Sequence, residues 1–398
     1  MSKILFLVGD GMGGWPLESL GGRTTLRAAH TPAMDFLAAR SRCGLCRTVP
    51  EGMPPGSDVA NMALLGYDPA VHHTGRGPIE AAAQGLDLDP DDLVWRMNLV
   101  SVSEWSPEGV MRDYSSGHIS TADAAPLLEK LAELARGSDF LPVTGIQYRH
   151  LLIQKNGAKT PAARLAVNPP HDLLDQSIGQ DLDAFSAFPE LARFMGQAHA
   201  LLSGLHPKAN AVWPWGQGRP LSLPDFREKS GLRGAVVSAV DLVKGLGRAA
   251  GMDVLHVDGV TGLIDTNYDG KIHAALDFLD RGDFVYVHVE APDECGHMGD
   301  AELKKQAIEL FDERIVAPAI EATAGTDAVI VVTCDHFTPV ARRTHTEDPV
   351  PFLIHATRDA RTGGPSTFDE ASAAGTGLFL SSGRELMAEE PERAEEPS

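Results

Sequence analysis

The sequence is poor in cysteine, in basic residues and in long apolar runs, and each shortage excludes something. Only four cysteines occur in 398 residues, Cys43, Cys46, Cys295 and Cys334. Cys43 and Cys46 form a lone CxxC without a second pair, which argues against a structural zinc and for two reduced thiols in a strand or turn. Lys and Arg number 34 against 55 Asp and Glu, a net charge of −21. That balance disfavours nucleic acid or an anionic membrane as a bulk partner. No apolar run approaches the length of a membrane span. The short run Ile4 to Val8 leads directly into Gly9-Asp10, too short for the apolar part of an export signal, so the cytoplasm is the expected compartment. No GxxxxGK[ST] occurs, which excludes a P-loop.

What is present is an α/β pattern. Apolar residues make up 43% of the chain, enough for a sizeable core. Residues 1–88 and 235–387 alternate strand and helix signals. Residues 89–234 are richer in Pro, Gly and polar turns. The expected architecture is an α/β core with a mostly parallel sheet, interrupted by an inserted α+β substrate-binding domain at 89–234. The acidic run Asp87, Asp89, Asp91 and Asp92 reads as the hinge into the insertion. An acidic, Pro-containing tail at 388–398 is expected to be disordered.

Candidate ligands gather at the ends of apolar strands. The run Phe284-Val285-Tyr286-Val287-His288-Val289 is followed by Asp293-Glu294-Cys295-Gly296-His297. On a helix, Asp293 and His297 share one face and can meet at one ion. A second run, Asp327 to Thr333, ends in Asp335-His336, with His345 beyond it. A third, Lys3 to Val8, ends at Asp10. Sites in open α/β sheets form at the carboxyl ends of the strands. Two ligand sets result: Asp293, His297 and His345, and Asp10, Asp335 and His336 with Ser57 as a fourth member. Carboxylate with imidazole suits Mn²⁺ or Zn²⁺, and Mg²⁺ less well. Two such ions can clamp a phosphoryl group.

Ser57 follows Pro54-Pro55-Gly56 and opens a helix that carries Asn61 on the same face. A bland reading makes Ser57 an N-cap; the functional one makes it a nucleophile facing a phosphate. Residues 9–14 formally match GxGxxG, which admits a dinucleotide-binding oxidoreductase. The motif leads to Trp15-Pro16 rather than directly into a helix, and no acid closes a second strand in the usual place.

Asp10, Pro55-Gly56-Ser57-Asp58-Val59-Ala60-Asn61, Gly66-Tyr67-Asp68-Pro69, Glu290 to His297, Asp335-His336 and His345 together resemble the archaeal-type cofactor-independent phosphoglycerate mutases of the alkaline phosphatase superfamily. The resemblance covers almost the whole chain except the tail. It implies an alkaline-phosphatase-like core, two divalent metal ions, and Ser57 as a nucleophile that becomes phosphoserine. It also implies a small phosphorylated metabolite as substrate. Candidate substrate contacts are Asn61, Arg76, Arg112, Asp113 and Arg149. Two stretches depart from the mutase pattern, Arg112 to His118 and Trp213 to Gly218, where family members carry more arginine. They are similar instead to a sister group proposed to be a homoserine kinase, the alternative activity.

Overall fold

The computed structural model describes residues 2–358 and 362–388; the tail expected at 388–398 lies, past Ala388, outside the described residues. In chain order the first strands are β1 (Lys3–Gly9), β2 (Arg42–Cys46), β3 (Leu93–Val102), β4 (Met111–Asp113), β5 (Phe140–Ile146), β6 (Arg149–Gln154) and β7 (Ala211–Gly218). They are followed by β8 (Gly234–Val237), β9 (Asp253–Val254), β10 (Phe284–Val289), β11 (Ala328–Thr333), β12 (Val350–Ala356) and β13 (Phe379–Leu380). The chain divides into two compact units, Met1–His73 with Ser222–Ser398, and Thr74–Leu221. Among the described residues no helix is long and apolar enough to cross a membrane.

The first unit holds a sheet in the order β13-β2-β12-β11-β1-β10-β8-β9. It is parallel except where β12 runs against β11 and β2. The class is therefore the α/β one expected, with a mostly parallel sheet. β10 and β11 are buried along their whole length, which is why they read as unbroken apolar runs rather than alternating ones. β1 lies between them, and its Val8 is paired with both His288 and Thr333. That register brings the residues after all three strands to one edge. Cys43 and Cys46 lie in β2 as buried free thiols, and burial pushes Cys43 up to about 12. Both are too inert for redox or ligand chemistry.

The second unit is an antiparallel sheet in which β3 pairs with β4, β6 and β7, and β5 pairs with β6. Period-two alternation along β3 divides its side chains between two faces. Leu93, Trp95, Met97 and Leu99 join a core that includes Phe185, Met195 and Trp213, while Val94 packs with Ala81, Leu151 and Ile153. The helix Thr121–Leu134 covers part of this sheet, and its Ser120 cap accepts a bond from Asp123 N at 3.1 Å.

The insertion begins at 74 and ends at 221, rather than at 89 and 234. Helix Arg76–Gln84 belongs to the second unit because its Gly77 lies almost in contact with the backbone of β3, so close that a Cβ there would sit 2.8 Å from Val94 O. The acidic run is not a hinge. Asp92 is buried, and its carboxylate accepts bonds from Lys155 Nζ at 2.7 Å and Asn156 N at 3.2 Å. At the other end β8 pairs with β10 of the first unit.

The two tryptophans at the departing stretch are structural. Trp213 is fully buried and donates Nε1–H to Asn168 O at 3.0 Å. Trp215 is 4% exposed, donates to Asn98 Oδ1 at 3.0 Å, and carries the Arg96 guanidinium 4.4 Å from its ring centre. An arginine there would leave a second cation buried beside Arg96 and remove aromatic packing. Trp215→Arg is expected to destabilise the protein by about 3–5 kcal/mol, the range for losing a large buried aromatic. Urea denaturation checks this; an equally stable variant with raised turnover would show the position to be a lost substrate contact instead.

Candidate active site

Three adjacent parallel strands end in chemically active residues. β1 is followed by Asp10 and β11 by Cys334-Asp335-His336. β10 carries His288 and leads through Glu290 into helix Ala291–Met298. Pro292 stands in the first turn of that helix, where its missing N–H costs nothing. Asp293 and His297 therefore project from successive turns of one face, as their spacing predicts.

The first ligand set assembles as expected. His297 Nε2 lies 3.2 Å from Asp293 Oδ2, His345 Nε2 lies 3.6 Å from Asp293 Oδ1, and the two Nε2 atoms are 3.0 Å apart. His297 Nδ1 lies 2.9 Å from Arg343 O, so Nδ1 carries a proton and Nε2 is the nitrogen open to a cation. Two imidazole nitrogens converging on one carboxylate make a group that could hold a cation.

The second set lies beside it. His336 Nε2 is 3.6 Å from Asp10 Oδ1 and 3.5 Å from Asp335 Oδ2. Ser57 Oγ is 3.0 Å from the same nitrogen. Gly56, not Ser57, is the N-cap of helix Ser57–Leu64, and Ser57 is its first helical residue. The hydroxyl is thus free of capping and sits at the positive end of the helix dipole. Asn61 was expected to touch substrate, but it is fully buried and both ends of its amide are engaged. It donates to Asp335 Oδ2 at 2.8 Å and to Ser57 O at 2.9 Å, and accepts from Tyr286 Oη at 2.5 Å. It orients Asp335.

The glycine-rich turn serves this site rather than a dinucleotide. Gly11 has φ +56, and a Cβ there would collide with the Asp293 carboxylate. Gly11 N donates to Asp335 Oδ1 at 3.0 Å. The fully buried Lys304 donates to Gly11 O, Gly13 O and Thr338 O at 2.7, 2.9 and 2.8 Å. Thr338 in turn donates to Asp293 Oδ1 and lies 3.3 Å from His336 Nδ1. Cys295 and Cys334 are buried near the site, but the candidate metal groups among the described residues contain neither.

The electrostatics fit divalent cations. Asp10 Oδ1 is buried with no hydrogen-bond partner. Burial and the Asp335 and Asp293 charges push Asp10 well above the usual carboxylate range. Against burial, the His336 charge and the facing His288 imidazole hold Asp335 low, and His297 and His345 do the same for Asp293. The Asp293 hydrogen bond raises His297 to about 9. Burial lowers His288, but Asp335 and Glu290 more than offset this and raise it to about 9. In the ion-free chain, protons occupy the positions that cations suit.

Sequence reasoning missed His288, which lies 3.4 Å from Asp10 Oδ2, and Lys304. The available signal for His288 was a histidine inside an otherwise apolar strand. The substrate candidates Arg76, Arg112, Asp113 and Arg149 all belong to the second unit. Arg76 and Arg149 are exposed, and their charges act with burial to lower Arg96 to about 10. Arg96, also missed, pairs with Glu80 at 3.0 Å. Arg112 is exposed and 4.0 Å from Asp175. Asp113 builds a turn, accepting from Ser115 N at 2.7 Å and Gly117 N at 2.6 Å.

The fold and this edge define a class: an α/β protein with a candidate two-metal centre and a serine beside it. Comparison with known proteins narrows it. Residues 38–207 match the family profile described as 2,3-bisphosphoglycerate-independent phosphoglycerate mutase. The chain is 45% identical over 397 residues to a probable enzyme of that name from Geobacter sulfurreducens, covering 97% of this chain and 98% of the relative. It is 44% identical to the one from Methanosarcina mazei, with 97% and 98% covered. Among solved structures, a protein from Pyrococcus horikoshii superposes with a TM-score of 0.80 at 28% identity, covering 97% of this chain and 96% of that one. The cofactor-independent phosphoglycerate mutase from Thermoplasma acidophilum gives a TM-score of 0.64 at 27% identity, with 98% of each chain covered. The chain belongs to the 2,3-bisphosphoglycerate-independent phosphoglycerate mutase family.

The protonation pattern makes ion binding pH-dependent. His297, raised to about 9, keeps its proton at neutral pH until a cation displaces it. Lower pH therefore favours the proton and weakens the ion. Affinity for Mn²⁺ is expected to rise from pH ~6 toward pH ~9, with net proton release. Calorimetry in buffers of different ionisation enthalpy checks this; binding independent of pH and without proton release would contradict it.

Proposed function

We propose that this protein interconverts 3-phosphoglycerate and 2-phosphoglycerate through a phosphoserine at Ser57, without a bisphosphoglycerate cofactor. The observation that carries the reading is Ser57 Oγ, uncapped at a helix start and 3.0 Å from His336 Nε2. Ser57 loses its hydroxyl proton, its Oγ forms a bond to phosphorus as the phosphorus–ester oxygen bond breaks, and the leaving oxygen takes up a proton to become a hydroxyl. The other hydroxyl of the same glycerate then loses its proton and bonds phosphorus as the Oγ–phosphorus bond breaks and Oγ regains a proton, so no outside donor is consumed.

Two divalent ions, when bound, supply neutralisation of phosphoryl charge and a lowered hydroxyl pKa. Asp293, His297 and His345 would hold one, and Asp10, Ser57, Asp335 and His336 the other. The mixed carboxylate–imidazole donors favour Mn²⁺ over Mg²⁺. Asn61 keeps the Asp335 carboxylate in place, and the helix dipole at Ser57 favours an approaching anion. Arg76 and Arg149, exposed and with their charges gathered around Arg96, are assigned to the anionic groups of the substrate. Arg112 and Asp113 remain candidates for the same role. The kinase alternative loses one of its supports, since Trp213 and Trp215 are packed in a core.

Ser57→Ala is expected to fold normally, because the hydroxyl caps nothing and its loss costs at most about 1 kcal/mol. It should form no phosphoenzyme and convert no 3-phosphoglycerate, as read by mass spectrometry of quenched protein and by a coupled assay without ATP. Phosphate on another residue, or full activity in the variant, would overturn the assignment. Arg149→Ala should lose roughly ten- to a hundredfold in kcat/KM, equivalent to about 1.5–3 kcal/mol for a charge-assisted contact. An unchanged value would remove Arg149 from the substrate site.

A further inference from the structure

His288 is fully buried in β10, and its ring is held from one side only. Its Nδ1 lies 3.2 Å from Glu290 Oε1. That carboxylate is itself fixed by donors. Its Oε1 accepts from Ser238 Oγ at 2.7 Å, Ala239 N at 2.6 Å and Val240 N at 3.3 Å. Its Oε2 accepts from Lys271 Nζ at 2.5 Å, and the same ammonium donates to His288 O at 2.8 Å. Glu290 is thus an acceptor, and Nδ1 must bring the proton to it. Tyr286 stacks nearly parallel to the ring, 13° apart at 6.5 Å, which further limits its rotation.

This arrangement turns Nε2 toward the edge of the sheet, where it is the ring atom open to a cation. Nε2 makes no hydrogen bond. It faces Asp10 Oδ2 at 3.4 Å and Asp335 Oδ2 at 3.9 Å. An atom facing two buried carboxylates calls for positive charge between them, a proton in the ion-free chain or a cation in its place. Asp10, His288 and Asp335 each offer a donor atom within 4.8 Å of the others. The chain Lys271–Glu290–His288 matches the carboxylate–histidine pattern that orients metal ligands and fixes their tautomer.

We infer that His288 is a further protein ligand of the second ion, in addition to Asp10, Ser57, Asp335 and His336, with Glu290 setting its tautomer. The inference rests on the reading that two ions bind at this edge. It explains why a histidine occupies a fully buried strand position, and why a buried lysine and a buried glutamate sit beneath the metal edge.

The test is Mn²⁺ binding by equilibrium dialysis to the full-length chain and to His288→Gln, with the protein freed of metal beforehand. Wild type is expected to bind two ions. His288→Gln should weaken one of them by at least about tenfold and leave the other unchanged. Two ions bound by wild type, with both affinities unaltered in the variant, would overturn the role of His288 while leaving the two-ion reading intact. Fewer than two ions on wild type would overturn both. Should His288→Gln fail to fold, pulsed electron paramagnetic resonance of Mn²⁺ on protein carrying ¹⁵N-histidine decides. His345→Ala, which removes a ligand of the first ion, isolates the second. Two directly bound nitrogens at the remaining ion are expected, from His288 and His336; a single one would exclude His288.

Discussion

The repulsion among three carboxylates governs this protein. Asp10, Asp293 and Asp335 are each less than a tenth exposed and are brought together at the ends of adjacent strands. Like charges so placed cannot all ionise in a buried setting unless positive charge accompanies them. In the ion-free chain the imidazoles of His288 and His297 supply part of it as protons, and Asp10 is pushed toward its neutral form. Divalent cations supply it better. The same arrangement that would be costly as a bare cluster becomes a binding site as soon as cations enter.

The surrounding structure keeps that cluster from relaxing. Two fully buried lysines act as cross-braces beneath it. Lys304 ties the turn after β1 to the loop after β11, and Lys271 fixes Glu290 and the backbone of β10. Each satisfies several acceptors at once, which offsets the desolvation of an ammonium in the interior. Asn61 and Thr338 bridge among the ligands with short polar contacts. Rigid support of this kind holds Ser57 Oγ beside His336, and misplacement of a reacting group by about 1 Å can cost a hundredfold in rate.

The second unit meets a different demand. Its sheet is antiparallel and its core is built from tryptophans and aliphatic side chains. Arg96 is buried in β3, paired with Glu80 and lying over Trp215. It is the fixed member of an arginine group whose other two, Arg76 and Arg149, are exposed. A chain with a net charge of −21 repels small anions at long range. The guanidinium groups gathered in this unit reverse that sign locally.

The α/β class, the parallel strands and the gathering of the seven proposed ligand residues at one edge were legible in the sequence because their signals are local. Unbroken apolar runs mark strands buried on both faces, and four-residue spacing puts Asp293 and His297 on one helical face whatever surrounds them. The start of the insertion was placed at residue 89 because the acidic run was read as a hinge, whereas Asp92 is buried on Lys155 and Asn156. Asn61 could be placed beside Ser57 from spacing, but only the neighbourhood of Asp335 and Tyr286 assigns it to orienting a ligand. His288, Lys304, Arg96 and the buried state of Trp215 were likewise decided by tertiary structure. Their roles depend on which strands lie side by side and in what register, and long-range pairing leaves no periodicity in the chain for a local pattern to reveal.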